Sequence, residues 1–149
     1  MAGRCWTVDA TEAHAEELVR NLQDGQIAEL MTLNPGFAPE DVIPMLLRLS
    51  VFSFTIMCAD GVVAMGGLFW RESEAARSPA WFYSTHLARR FWISYAREFR
   101  RVASAIVEAG HQMVLSADTR YSDGVRLIRF AGGEIGPPDS RGIAVATVG

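Results

Sequence analysis

Residues 81–110, WFYSTHLARRFWISYAREFRRVASAIVEAG, decide how the rest of the chain reads. The stretch opens as a short aromatic strand and becomes, within a few residues, the longest helical pattern in the sequence. Trp92, Tyr95, Phe99, Val102 and Ile106 recur at spacings of three and four and so share one face, while Arg90, Arg97 and Arg101 share another. That is a core helix with a basic outer side.

Downstream, residues 112–117 read as a strand, so strand, long helix and strand form a right-handed crossover unit. A short helix over residues 122–130 follows, with Val125, Leu127, Ile128 and Phe130 as apolar positions and Gly132-Gly133 as its stop. Pro137-Pro138 marks a turn, and residues 143–148 alternate as a last strand. Upstream, residues 4–8 read as a first strand. Thr11 then caps a helix whose inner face is Ala15, Leu18, Val19 and Leu22. Asp24-Gly25 interrupts it, and a second helix puts Ile27, Leu30 and Met31 inside. A third opens at Pro39, presents Val42, Met45, Leu46 and Leu49, and has Pro44 as a point of bending or late start. Residues 51–58 and 62–70 are β-branched and aromatic runs joined by Ala59-Asp60-Gly61, where Asp-Gly supplies the positive φ of a hairpin turn. Gly66-Gly67 marks a bulge or a close approach of another group. Residues 71–79 read as a charged loop. The order is a mixed α/β arrangement in a single domain over residues 1–149.

The composition narrows the function classes. Half of the 149 residues are apolar and 21% are charged, enough for one sizeable core without staples. The longest apolar run is about half a bilayer span, and no hydrophobic leader opens the chain, so a soluble, intracellular protein without a membrane partner is expected. Cys5 and Cys58 lack partners at disulfide or zinc spacing and read as small core residues. His14 and His111 also lack ligand partners, so no metal is expected. All fourteen basic residues are arginine, and the net charge of −3 argues against general nucleic-acid binding. The charges are unevenly divided: residues 1–80 hold eleven acids and five arginines, residues 81–149 six acids and nine arginines. Arg97, Arg100 and Arg101 are then either a polyanion or protein-contact face or a solvated helix side.

Four pieces, taken in order, carry a family resemblance: Thr11-x-x-His14-Ala15-x-x-Leu18; Ser50 before the hairpin; Asp60-Gly61-Val62-Val63-Ala64-Met65-Gly66-Gly67; and Arg126-Leu127-Ile128-Arg129-Phe130-Ala131-Gly132-Gly133. Together they resemble the GNAT N-acyltransferase fold over nearly the whole chain, and more particularly the small GNAT-like proteins of tailed bacteriophages, such as those similar to internal virion protein A of T7-like phages. The resemblance implies a mixed, twisted sheet flanked by helices, with acetyl-CoA held between the fourth and fifth strands, here residues 80–85 and 112–117. It places cofactor contacts at Ser84, Thr85, Arg89, Arg90 and Ser94.

Two departures from the family pattern stand out. The family's (Arg/Gln)-x-x-Gly-x-(Gly/Ala) turn, which cradles a diphosphate on backbone amides, is here Arg89-x-x-Trp92-x-Ser94, with no glycine between Gly67 and Gly110. Arg89 and Arg90 can replace amide contacts with charge. The family's tyrosine acid falls on Ile128, which has no proton to give, and its asparagine on Tyr121; Tyr83 and Tyr121 are the phenols nearby.

For a base that deprotonates an attacking amine, Glu72 and Glu74 in the charged loop and His86 at the strand end are the candidates, with Tyr83 beside them. Glutamates in such a loop also serve as solvated charge, and a strand-end histidine as a helix cap. A Ser84-His86-Asp118 triad lacks a nucleophile-elbow sequence. Two functions follow from the resemblance. One is acetyl transfer from acetyl-CoA to an amine. The other is a catalytically silent GNAT-fold protein that works by contact, with a phage structural or host protein as partner, in the host cytoplasm or the virion.

Overall fold

Residues 81–110 form the end of a strand, one helical turn and a long helix in the computed structural model, which describes residues 3–69 and 77–149. Along the chain come β1 (Trp6–Asp9), α1 (Glu12–Asn21), α2 (Asp24–Leu33), α3 (Pro39–Leu49), β2 (Phe52–Cys58), β3 (Gly61–Leu68), β4 (Arg77–Ser84), α4 (Leu87–Arg90), α5 (Trp92–Glu108), β5 (Gln112–Asp118), α6 (Ser122–Phe130), β6 (Glu134–Ile135) and β7 (Ile143–Val148). The expected face of α5 is the buried one: Tyr95, Phe99, Val102 and Ile106 are all below a tenth exposed. The helix is not continuous with the turn before it. Phe91, at φ −114° and ψ 34°, closes α4 and opens α5, its N–H donating to Leu87 O (3.0 Å) and its carbonyl accepting from Tyr95 N–H (2.9 Å).

The strands lie in the order β1-β2-β3-β4-β5-β7-β6, antiparallel throughout except for β4 beside β5. This is the expected mixed α/β sheet flanked by helices. On one face Leu18, Leu30, Val42 and Ile43 of α1, α2 and α3 pack with Val62, Met65, Trp81 and Tyr83. On the other, Phe99 and its neighbours on α5 and Leu127 and Ile128 of α6 pack with Phe54, Ile56, Val63, Leu115 and Ala146. Cys5 and Cys58 are buried in this second core as free thiols, and burial pushes the Cys5 thiol up.

Several expectations shift in detail. Thr11 caps α1 as expected, but its capping box uses a histidine: Thr11 Oγ1 accepts His14 N–H, and His14 Nδ1 accepts Thr11 N–H, both at 3.2 Å. Asp24-Gly25 is the first turn of α2 rather than a break, and the inner face of α2 carries Glu29 and Leu30 while Met31 is 52% exposed. α3 starts at Pro39 and continues through Pro44, whose missing N–H would have bonded to Glu40 in the exposed first turn; its core residues are Val42 and Ile43, with Met45 and Leu49 exposed. In the hairpin only Gly61 takes positive φ, and the register shift lies between Ile56 and Met57, not at the glycine pair.

Gly66 and Gly67 instead give room. A Cβ on Gly66 would sit 2.7 Å from Phe82 and 2.8 Å from Phe54, and one on Gly67 2.6 Å from both Trp81 Nε1 and Ser50 Oγ. The stretch read as a loop before residue 80 is already strand from Arg77 onward.

Candidate functional site

The two parallel strands meet only at their starts. Arg77, Ser78 and Pro79 pair with Gln112, Met113 and Val114; beyond Pro79, β4 pairs with β3 alone and β5 with β7 alone. A cleft of about 590 Å³ opens there. Alternation of the antiparallel ladders decides which backbone groups face it. Thr85 N–H bonds to Val63 O (2.9 Å) and Phe69 N–H to Pro79 O (2.8 Å), so the groups of Phe82, half a repeat away, turn from β3 into the gap. On β5, Thr119 N–H bonds to Gly142 O (2.9 Å), so the groups of Ser116 and Asp118 turn toward the same gap. The floor is apolar, made by Phe82, Tyr95, Phe99, Leu115, Leu127 and Ile128. A slot with an apolar floor and strand-edge donors and acceptors suits an extended chain that carries amide groups.

Helix α2 crosses the base of the gap and is fastened to both strands. Gln26 Oε1 accepts Ser84 N–H (2.9 Å), Gln23 Nε2 donates to Ser84 Oγ (2.8 Å), and Gln23 N–H donates to Ser84 O (3.3 Å). One turn further, Glu29 lines the cleft at 7% exposure, and its carboxylate accepts the main-chain N–H of Asp118. Burial, reinforced by the nearby Asp118 charge and opposed by that hydrogen bond, raises the Glu29 pKa to about 7. Asp118 is the opposite case. Its buried carboxylate takes Arg120 Nη2 at 2.6 Å and Nε at 2.9 Å, and these bonds hold its pKa below the usual carboxylate value.

The far wall and the mouth come from α4, α5 and α6. Tyr121, at the start of α6, lies over Gly25, where a Cβ would meet its ring at 2.6 Å. Trp92 stands at the mouth with the Arg126 guanidinium 4.9 Å from its ring centre and the Tyr95 ring edge-on at 5.9 Å. Arg89 crosses the same mouth to Asp123, Nε to Oδ2 2.8 Å. Phe91 is not part of this wall and packs toward Gly3.

The residues singled out in the sequence are distributed unevenly around this site. Glu72 and Glu74 lie outside the described residues. His86 lines the rim, exposed, with its N–H on Asn21 O (3.3 Å). Tyr83 points to the opposite face of β4, in the core under α1–α3, where burial and the neighbouring Glu29 charge push its phenol up. Ser84 is in the cleft wall, tied to Gln23 and sharing a hydrogen bond with Tyr95, whose phenol burial also pushes up.

Thr85 is fully buried and donates its hydroxyl to Val62 O (2.8 Å). Arg90 leaves the cleft for Asp60 at the hairpin turn (3.4 Å), its guanidinium 5.1 Å from the Phe91 ring centre. Ser94 Oγ accepts the N–H of Cys5 (2.7 Å). Of the expected set, the structure gathers His86, Ser84 and Arg89 at the cleft.

Glu29, Gln23, Gln26 and Asp123 carry no motif that singles them out in the sequence. Gln23, Gln26 and Glu29 recur every three residues, a polar row that leads onto Leu30, and that row was the available signal. Among the described residues no group of three or more His, Cys, Asp or Glu is placed to hold a metal ion, and no helix is long and apolar enough to cross a membrane.

No protein-family model matches this sequence, and no curated protein does, so these comparisons lend nothing to a phage relationship. Solved structures do match. Ard1 from Thermoplasma volcanium is 13% identical with a TM-score of 0.66, over 96% of this chain and 95% of that one. A GNAT-family acetyltransferase from Streptococcus pneumoniae is 13% identical with a TM-score of 0.63, over 98% and 100%. Another from Staphylococcus aureus Mu50 is 10% identical with a TM-score of 0.66, over 97% and 98%. At such identities the likeness is one of architecture, and it shows that the chain has the fold of the GNAT acetyltransferases along nearly its whole length.

Proposed function

We propose that the cleft transfers an acetyl group from acetyl-CoA to a primary amine, with Glu29 as the base. The observation that carries this reading is a buried glutamate with a pKa of about 7 in the gap between the splayed strands. A carboxylate that is half ionised near neutrality is a far better proton acceptor at that pH than one at the usual value. The amine lone pair forms the new C–N bond, the thiolate leaves with the electron pair of the broken C–S bond, and the amine proton passes to Glu29. The Phe82 N–H, turned into the gap, is a donor for the thioester oxygen. Ile128 is apolar and buried at the family's acid position; of the two phenols that line the cleft, Tyr95 is buried and held protonated by that burial, so the more exposed Tyr121 is the one available to the departing thiolate.

Calorimetry with acetyl-CoA, paired with an acetylation assay on Glu29→Gln, tests the reading. Binding is expected in wild type and variant alike, with turnover lost only in the variant. No binding at millimolar acetyl-CoA rejects it.

A second reading has its own observation in favour: Arg89, Arg90 and Ser94, the polar groups expected to meet the diphosphate, all hold protein partners. In that reading the fold has outlived its chemistry and works by contact with a phage structural or host protein, in the host cytoplasm or the virion. Absence of acetyl-CoA binding selects it.

A further inference from the structure

The mouth of the cleft is crossed by a carboxylate that sits where an anionic ligand would be drawn. Arg89 on α4 reaches across to Asp123 in the first turn of α6, Nε to Oδ2 2.8 Å, and both residues line the cleft. Beside it the Arg126 guanidinium lies over Trp92, a second contact between the same two walls. Arg90, the neighbouring arginine, is turned away to Asp60, so Arg89 is the cation of the β4–α5 turn that faces the opening. Its side chain is 73% exposed, leaving guanidinium edges open to solvent while one edge holds Asp123. Carboxylate and phosphate oxygens use the same planar donors of a guanidinium, so the two compete for it.

We propose that Asp123 is a built-in competitor for the phosphate groups of the acyl donor, holding Arg89 across the cleft mouth until a diphosphate takes its place. The proposal rests on the acyl-transfer reading for the identity of the ligand, but the competition itself is a property of the Arg89–Asp123 pair. An exposed bridge of this kind is weak enough to yield, and its release costs an incoming anion roughly two- to five-fold in affinity.

The test is titration calorimetry of the full chain with two probes, acetyl-CoA and inorganic pyrophosphate, at low salt. Asp123→Asn keeps a hydrogen-bonding side chain in the first turn of α6 and removes only the charge; Asp123→Ser, another good helix opener, guards against a folding artefact. Both are expected to tighten pyrophosphate and acetyl-CoA binding roughly two- to five-fold, whereas Arg89→Ala weakens it. A bridge with a purely structural role gives the two partners' variants the same sign. On the Arg89→Ala background Asp123→Asn is expected to change pyrophosphate affinity little; an undiminished tightening there means general repulsion and overturns the proposal, as does unchanged pyrophosphate binding in Asp123→Asn. Tightened pyrophosphate binding with no response to acetyl-CoA upholds the competition and rejects the acyl-transfer reading instead.

Discussion

The main-chain N–H of Asp118 donates to the buried carboxylate of Glu29, tying the end of β5 to helix α2 across the base of the cleft. The bond favours the ionised glutamate, yet burial outweighs it and leaves the pKa near 7. Acetyl transfer is therefore expected to rise with pH through about 7 and to level above it, and Glu29→Gln is expected to lose roughly 100-fold or more of turnover and that inflection with it. A pH–rate profile of both proteins checks this; an unchanged inflection in the variant moves the base elsewhere.

The same shift has a stability consequence of definite sign. The folded state binds a proton at Glu29 more tightly than the unfolded chain, so the native protein loses stability as pH rises from about 4.5 through about 7. The ordinary conversion puts this on the order of 3 kcal/mol at alkaline pH. Glu29→Gln, free of that penalty, is expected to raise the melting temperature at pH 8.5 more than at pH 5. An equal change at both values indicates a packing effect.

Arg120 controls how strongly Asp118 acts on its neighbour. It neutralises the Asp118 carboxylate through two bonds of 2.9 and 2.6 Å. Arg120→Ala leaves that charge buried and unscreened beside Glu29, so the inflection of the pH–rate profile is expected to move upward. Stability is expected to fall by about 1–3 kcal/mol, with the loss largest at neutral pH, where Asp118 is ionised. A downward move of the inflection means the two carboxylates do not communicate.

The sequence makes the architecture legible wherever one interaction dominates. The α5 stripe from Tyr95 to Ile106 and the hairpin at Gly61 follow from periodicity and backbone freedom, and both stand. The site was less legible because its groups come from elements distant in sequence. The row Gln23, Gln26 and Glu29 puts the three on one helix face but does not mark that face as buried: the burial follows from α2 being fastened through Gln23 and Gln26 to Ser84. Arg89 and Arg90 are adjacent in sequence, yet they part because Asp123 and Asp60 draw them to opposite sides. On α2, Ile27 and Leu30 pack inward as expected and only Met31 is misplaced, since hydrophobicity alone prefers it to Glu29, which takes the inner position instead.

The glycine pair of β3 is a packing requirement with a reach into the cleft. Gly66→Ala sets a methyl within 2.9 Å of Phe82, Phe54 and the Trp81 carbonyl, and the last of these is backbone that cannot rotate aside. A loss of about 1–3 kcal/mol is expected in urea denaturation, together with weaker acetyl-CoA binding, because the displaced Phe82 also lines the gap. Wild-type stability in Gly66→Ala would mean that β4 yields more freely than its ladder suggests.

Ser50 does more than end α3. Its hydroxyl donates to Leu46 O (2.7 Å) and accepts the indole N–H of Trp81 (2.7 Å), joining the last turn of α3 to the strand that forms one wall of the cleft. Trp81 is 6% exposed, so with Ser50→Ala its N–H has no water to turn to. Leaving that donor unsatisfied is expected to cost about 1–3 kcal/mol. Ser50→Thr keeps the hydroxyl and separates this loss from crowding, since its added methyl meets the limited space around Gly67. Thermal melts of Ser50→Ala, Trp81→Phe and the double variant close the cycle: if the indole–hydroxyl bond carries the effect, the double variant is more stable than the sum of the two single losses predicts, and strict additivity shows that the two residues act separately.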